Sequence, residues 1–157
     1  MKTYQVTVSG RVKAPAEQVY AILADYHDGH PHILPRPYFQ NLAVETGGIG
    51  AGTLIRYQMR IMGETQTFRA VITEPEPGHV LAETDVASGA VTTFTVTPIE
   101  EGQYTETTIS TRLRLRDDLR GRIERFFTTL FLRRVYAKEL VQLAALAEER
   151  LHLPQLA

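Results

Sequence analysis

The chain of 157 residues contains no cysteine, no tryptophan and no long uninterrupted apolar run. The absence of cysteine excludes disulfide bonds, thiolate zinc ligands and a cysteine nucleophile. No stretch approaches the roughly 18 apolar residues that a membrane-spanning helix needs, and the first residues alternate without the apolar core of a signal peptide. We therefore expect a cytoplasmic protein without a transmembrane segment.

An excess of charge of one sign is also missing. The chain has 17 Lys and Arg against 18 Asp and Glu, which argues against a protein that mainly neutralises phosphates. Residues 112–150 hold ten basic and six acidic residues, so this part of the chain is locally positive. Its arginines at 112, 114, 116, 120, 122 and 125 are interleaved with acidic residues and lack an aromatic ladder for base stacking, so we interpret them as a solvated, partly paired face and expect no nucleic-acid partner. The length and the 43% hydrophobic content predict a single domain over residues 1–157.

The N-terminal part of the chain predicts one strand followed by two short helices. Tyr4, Val6 and Val8 recur at every second residue, which is the period of a strand with one wet face. Pro15 suits the first turn of a helix, and a short apolar stripe follows it. Residues 25–37 contain three prolines and a glycine, so regular structure there is limited to a turn or two.

The middle of the chain predicts six further strands in an antiparallel meander. Their predicted bounds are 39–45, 53–62, 65–74, 80–85, 90–99 and 104–115, separated by short turns that mostly contain glycine. Ile55, Tyr57 and Met59 alternate with Arg56 and Arg60. This alternation predicts that the apolar set faces the interior and that the arginines face solvent.

The C-terminal part predicts one long helix. Asp118 can cap its start, and a helix that reaches Leu151 would be roughly 50 Å long and would end before Pro154. Its predicted apolar face comprises Leu119, Ile123, Phe126, Phe127, Leu130, Ala137, Leu140, Val141 and Ala144.

This arrangement predicts an internal cavity. Seven strands span roughly 30 Å, whereas a helix is about 10–12 Å across, so the sheet must curl around the helix. The interior also lacks bulky side chains, because the inward candidates include the small residues Ala70, Ala82, Thr92, Thr107 and Thr111. Leftover space lined by aromatic, aliphatic and hydroxyl groups is typical of a small-molecule pocket, although a solid core is the alternative.

The order of these elements resembles the helix-grip fold of the START/Bet v 1-like (SRPBCC) superfamily, in its polyketide cyclase/dehydrase and lipid-transport branch. The resemblance covers Tyr4 to about Leu146, and it is carried by residues 12–20, Asp25-Tyr26 leading into 29–35, residues 50–53 and residues 74–81. It implies an α+β fold in which a seven-stranded curved antiparallel sheet surrounds a long C-terminal helix, with two short helices between the first two strands.

The resemblance implies several functions, since similar proteins are carriers in some cases and cyclases or hydrolases in others. Our first hypothesis is binding or transport of a small hydrophobic ligand that is lipid-, polyketide- or aromatic-like. The alternative is a cyclase or dehydratase in which a pocket His or Tyr transfers a proton. A second alternative is a regulatory or assembly partner, and a homodimer is suggested by the Phe-rich residues 126–132. No cofactor is expected.

Three of the five histidines, His27, His30 and His32, lie within six residues. Because Pro31 extends the chain, His30 and His32 are expected to point apart, so we predict no metal site. The simple interpretation is a surface or rim loop whose imidazoles bond to the backbone. The functional interpretation is a lid on the pocket mouth, in which His30 acts as general acid or base.

The other candidate catalytic residue is Tyr57, whose register places it inside. Glu83 and Asp85 share a face of the fifth strand and are expected to be exposed; facing inward, they would be acid/base candidates.

Glycines at 47–52 precede a strand rather than a helix, so they are interpreted as a flexible turn beside the pocket mouth and not as a phosphate loop. The predicted ligand-binding residues are Tyr26, His30, Ile55, Tyr57, Met59, Phe68, Ala70, Phe94, Phe127 and Leu130.

Overall fold

The computed structural model describes residues 2–153, in which one antiparallel sheet grips one long helix. The elements follow in the order β1 (Thr3–Val12), α1 (Ala16–Ala24), a 3₁₀ turn (His30–His32), β2 (Phe39–Thr46), β3 (Leu54–Ile61), β4 (Glu64–Glu76), β5 (Val80–Asp85), β6 (Val91–Ile99), β7 (Tyr104–Arg114) and α2 (Leu119–His152). This architecture confirms the predicted helix-grip fold.

The sheet has the strand order β1-β7-β6-β5-β4-β3-β2, and every neighbouring pair is antiparallel. The predicted strands agree with these bounds to within two residues at each end. They were readable from the sequence because a strand with one buried face repeats every second residue and ends at a turn. Helix α2 packs on the inner face of the sheet, mainly against β1.

The start of α2 is determined by a cap and a glycine. Asp118 accepts a hydrogen bond from the backbone nitrogen of Gly121 at 2.7 Å, as expected for a residue that caps a helix. A Cβ atom at Gly121 would clash with the backbone carbonyl of Arg116, so only glycine allows the chain to turn this tightly into the helix.

The buried face of α2 differs from the predicted one. The buried residues are Gly121, Leu132, Val135, Tyr136, Glu139, Leu140, Leu143 and Ala147. Of the predicted apolar face, Leu119, Ile123, Phe126, Phe127, Leu130 and Val141 are more than half exposed. The prediction was wrong for the residues from Leu119 to Leu130 because the 34-residue helix is roughly 50 Å long, so its first turns extend beyond the core. It was also wrong for Ala137 and Val141, which lie on the solvent side of α2.

The first turns of α2 therefore present an apolar face to solvent. The predicted homodimer, which was based on this Phe-rich stretch, stays a prediction.

Within residues 2–153, no helix has the length and apolar character needed to cross a membrane. Pro154, the predicted stop of α2, lies outside the described residues, and the helix itself ends at His152.

Candidate functional site

A cavity of about 180 Å³ lies between the sheet and α2. Its wall comes from the inward faces of β3 to β7 and from one side of α2. The lining residues are Tyr57, Met59, Ile61, Met62, Phe68, Ala70, Glu83, Asp85, Ser88, Ala90, Thr92, Thr111, Leu113, Thr128, Phe131, Leu132 and Tyr136. The wall is thus mostly apolar, with carboxylates and hydroxyls at a few places, as in small-molecule sites generally.

Strand register explains how distant residues meet in this wall. Tyr57 pairs with Phe68 across β3 and β4, and their rings stack with centroids 5.5 Å apart. Two residues further along β4, Ala70 lies between Ile55 of β3 and Asp85 of β5. Because side chains at paired positions point to the same face of a sheet, an alternating pattern on each strand becomes one continuous lining.

An outer groove of about 570 Å³ adjoins the cavity. It is lined by Pro37, Tyr38, Arg60, Met62, Gly63, Phe127, Leu130, Phe131 and Arg134. Met62 and Phe131 line both spaces, so they mark the boundary between the cavity and the groove. The groove is the route by which a ligand could reach the interior.

A buried polar cluster of Tyr26, His30, Glu83 and Glu139 lies behind the cavity wall. The hydroxyl of Tyr26 donates to Glu83 Oε1 at 2.6 Å. His30 Nε2 lies 3.4 Å from the same oxygen and 3.9 Å from Glu139 Oε1. Glu83 also lines the cavity, so it connects this polar cluster to any molecule bound there.

The orientation of His30 follows from its backbone contact. Nδ1 lies 2.8 Å from the carbonyl oxygen of Leu23, and because a carbonyl only accepts, Nδ1 carries the hydrogen. This leaves Nε2 to face the two carboxyl groups. The imidazole is stacked on Tyr26, with centroids 4.5 Å apart, and meets the ring of Phe94 edge-on.

The segment that carries Tyr26 and His30 is held by short-range contacts. The side chain of Asp25 accepts hydrogen bonds from the backbone nitrogens of His27 and Asp28, each at 3.0 Å, and its carbonyl accepts from His30. A Cβ at Gly29 would clash with the backbone of Ile22, so glycine lets this turn fold back onto α1. These contacts direct the His30 side chain inward.

Glu139 is the least satisfied group of the cluster. It is 2% exposed, and within residues 2–153 its Oε1 has no hydrogen-bond partner. Burial, and secondly the negative charge of Glu83, raise the pKa of the Glu139 carboxyl well above its usual value. The side chain therefore keeps its proton at pH values where an exposed glutamate has lost it.

The tyrosines around the cavity are neutral hydrogen-bonding groups. Burial is the main cause that raises the pKa values of Tyr26, Tyr57 and Tyr136, and the charge of Glu83 adds to it in each. Tyr136 is hydrogen-bonded to Thr111, which in turn lies 2.8 Å from the hydroxyl of Thr92. The cavity thus has a row of hydroxyls beside Glu83.

The structure distributes the predicted ligand-binding residues over four places. Tyr57, Met59, Phe68 and Ala70 line the cavity, whereas Phe127 and Leu130 line the outer groove. Tyr26 and His30 belong to the polar cluster, behind Glu83. Ile55 and Phe94 are buried in the core and line neither space. The two candidate catalytic residues thus occupy different layers, with Tyr57 on the wall and His30 behind it.

The interpretation of the His-rich loop as a lid or rim was wrong for His30, which is 1% exposed and lies in the interior. His27 and His32 are exposed, and His32 Nε2 lies 3.3 Å from Asp28 on the surface. Within the described part of the chain, no three His, Asp or Glu side chains are placed to hold a metal ion.

The turn at residues 47–52 was wrongly placed beside the pocket mouth. Two of its glycines bond to the end of α1 and the residues after it, since the backbone nitrogen of Tyr26 donates to the carbonyl of Gly48 and the nitrogen of Gly50 donates to the carbonyl of Ala24, both at 2.8 Å. This turn precedes β3, whereas the groove opens at Met62, beyond the other end of that strand.

Three site residues were misjudged or missed in the sequence. Glu83 and Asp85 were expected to be exposed, but the Glu83 side chain is 12% exposed and Asp85 is half-buried in the cavity wall, because both share the inward face of β5 with Leu81. The neighbouring Ala82 was expected inside and lies on the opposite face. Glu139 was not considered, although it follows Tyr136 by three residues and precedes Leu143 by four, which is the spacing of one helix face.

A sheet that grips one helix around a cavity defines a helix-grip protein of the START/Bet v 1-like superfamily. More particularly, this chain belongs to the family described as polyketide cyclase/dehydrase and lipid transport, which matches residues 3–148. A comparison with curated proteins gives no match.

Three solved structures illustrate the likeness. The KanY protein is 26% identical with a TM-score of 0.81, over 94% of this chain and 99% of that one. The Zhui aromatase/cyclase from Streptomyces sp. R1128 is 19% identical with a TM-score of 0.77, over 98% and 99%. A START superfamily protein from Mycobacterium smegmatis is 14% identical with a TM-score of 0.70, over 93% and 98%. The aromatase/cyclase and the START superfamily protein are below 25% identity, so their likeness to this chain concerns the fold alone.

Proposed function

We propose that this protein binds a small, mostly apolar molecule in the cavity between the sheet and α2. The observation that carries the proposal is the space of about 180 Å³ whose wall includes Tyr57, Met59, Phe68 and Ala70. Because protein interiors normally pack densely, an internal space of this size with a mostly apolar wall favours a binding site.

The shape of the site indicates how the ligand lies. The cavity is small compared with typical ligand sites of about 300–1,000 Å³, but it continues into the groove at Met62 and Phe131. We expect a ring or short chain of the ligand to occupy the cavity, next to Glu83, and the remainder to lie against Phe127 and Leu130.

The binding proposal predicts that the purified protein takes up an apolar fluorophore. N-phenylnaphthylamine should bind at one site and become brighter, because the cavity excludes water from its rings. The measurement is a fluorescence titration, combined with native mass spectrometry for stoichiometry and for material that co-purifies with the protein. A linear, unsaturable signal together with an empty mass spectrum would contradict the proposal.

A second candidate function is proton-transfer catalysis of the cyclase or dehydratase type. The observation that favours it is the polar cluster, in which Tyr26 and His30 orient a Glu83 carboxylate that also lines the cavity. Glu83 would accept a proton from a carbon next to a carbonyl of the substrate and return it to the product, while the Tyr26 hydroxyl holds the Glu83 carboxyl in place.

The catalytic alternative predicts that the protein accelerates hydrogen–deuterium exchange at the acidic carbon of a phenyl-substituted β-diketone. NMR follows the exchange, and the wild-type rate should exceed that of Glu83→Gln by about 100-fold, the usual contribution of a general base. Glu106→Gln is the matched control, because Glu106 is exposed on β7. Equal rates for wild type and Glu83→Gln would remove the catalytic role.

A further inference from the structure

We propose that the inner end of the ligand is a hydrogen-bond donor, a phenol or a protonated amine on an aromatic ring, and that a carboxylate or phosphate head is excluded from this inner end. This inference rests on the proposed binding function and names the ligand class that the cavity selects.

The first argument is the charge of the cavity wall. Its ionisable side chains include two carboxyl groups, Glu83 and Asp85, which come from adjacent inward positions on β5. None of the lining residues is a lysine, arginine or histidine. A carboxylate or phosphate head would therefore meet like charge without a cation to compensate it, which is costly where water is excluded.

The second argument is the hydrogen-bonding capacity that the wall leaves open. An ionised carboxylate only accepts hydrogen bonds, and Glu83 receives one from Tyr26 at its Oε1 atom. Asp85 receives two at 2.7 Å, both from Ser88 and both at Oδ2. Each carboxylate thus retains acceptor capacity at its other oxygen, and a donating head group is the natural complement.

The third argument is Glu139, an independent observation behind the same wall. Its Oε1 is fully buried, lacks a hydrogen-bond partner within residues 2–153 and lies 3.9 Å from His30 Nε2. Behind Glu83 the cluster thus adds another carboxyl group, and its only basic side chain is the His30 imidazole. This composition does not compensate the charge of an acidic ligand head.

The arginines nearest to the site lie outside the cavity. Arg60 and Arg134 line the outer groove, beyond the boundary that Met62 and Phe131 form. An acidic ligand would be held at the groove by these two side chains rather than drawn inward. The rings of Tyr57, Phe68 and Tyr136 provide flat apolar surface for the ring and negative π-faces for a cationic head.

The test is a competition series against N-phenylnaphthylamine with one naphthalene core and four substituents. The compounds are naphthylmethylamine, naphthol, methylnaphthalene and naphthoic acid. The amine and the phenol should each bind about tenfold or more tightly than methylnaphthalene, and naphthoic acid should bind at least about tenfold more weakly than the amine. Equal or tighter binding of the acid overturns the inference.

Variants locate the selectivity. In Glu83→Gln the advantage of the amine over the acid should fall by about tenfold, because the side chain keeps its size but loses its charge. Asp85→Asn should act in the same direction, and the exposed Glu106→Gln should leave the ranking unchanged. If Glu83→Gln fails to fold, the wild-type ranking and Asp85→Asn decide the matter.

The outcomes also separate this inference from the binding proposal. If the fluorophore and methylnaphthalene bind but the donating heads add nothing, the cavity binds apolar molecules and the donor inference is wrong. If neither the fluorophore nor any compound of the series binds, both proposals are wrong.

Discussion

The variant Glu139→Gln is expected to lose less stability than the wild type as the pH rises. In the unfolded chain the Glu139 carboxyl loses its proton near 4.5, whereas burial raises its pKa in the folded protein. Between these two values the folded state binds more protons than the unfolded state, so the free energy of unfolding falls as the pH increases. Glutamine does not titrate, and the variant lacks this contribution.

The expected size follows from proton linkage. One proton contributes a slope of about 1.4 kcal/mol per pH unit, so wild type should lose up to about 3 kcal/mol more than the variant between about pH 5 and about pH 7. Urea unfolding at a series of pH values measures the difference. Slopes that both proteins share report the other titratable groups of the chain.

A second substitution separates charge from shape. Glu139→Met should be more stable than wild type at neutral pH by about 1–3 kcal/mol, because it removes a buried polar atom that lacks a partner. The exposed Glu76→Gln is the control and should follow the wild-type curve.

For the first variant, parallel pH profiles of wild type and Glu139→Gln would mean that the Glu139 carboxyl titrates normally in the folded protein.

Ala70→Phe is expected to abolish most ligand binding. Ala70 is 1% exposed and lines the cavity, so a phenylalanine there would place its ring in the space of about 180 Å³. Excluding a ligand ring from burial costs about 3 kcal/mol, which corresponds to a loss of affinity of roughly 100-fold. The fluorophore titration measures the loss, and thermal unfolding checks that the variant folds.

The adjacent residue provides a matched control for this experiment. Val71 is the next residue on β4, lies on the outer face of the sheet and is 41% exposed. Val71→Phe adds a ring to the same strand without filling the cavity, so it should bind the fluorophore like the wild type. Unchanged binding by Ala70→Phe would place the ligand elsewhere, for example on the exposed first turns of α2.

The strands and their register were predictable because their signals are local. The alternation of Ile55, Tyr57 and Met59 identified the inward face of β3, and it did so without knowledge of what the face packs against. The capping residue Asp118 similarly marked the start of α2. Periodicity and turn chemistry act within a few residues, so they are visible in the sequence.

The polar cluster was not predictable in the same way. His30 was expected in a surface or rim loop because its neighbours, His27, Asp28 and Pro31, are polar or turn-forming residues. The direction of its side chain depends on the contacts of Asp25 and on the fit of Gly29 against α1. Glu83 and Glu139, which lie 56 positions apart in the sequence, meet only after β5 and α2 pack together.

By itself the sequence determined the α+β class, the seven strands, the long last helix and the expectation of a cavity, because these follow from short-range periodicity and from the sizes of sheets and helices. The tertiary structure alone decided which side of α2 is buried and which acidic groups lie inside. Those outcomes depend on where a long helix meets the sheet and on which distant side chains are brought out of water together, and neither is encoded in any single stretch of the chain.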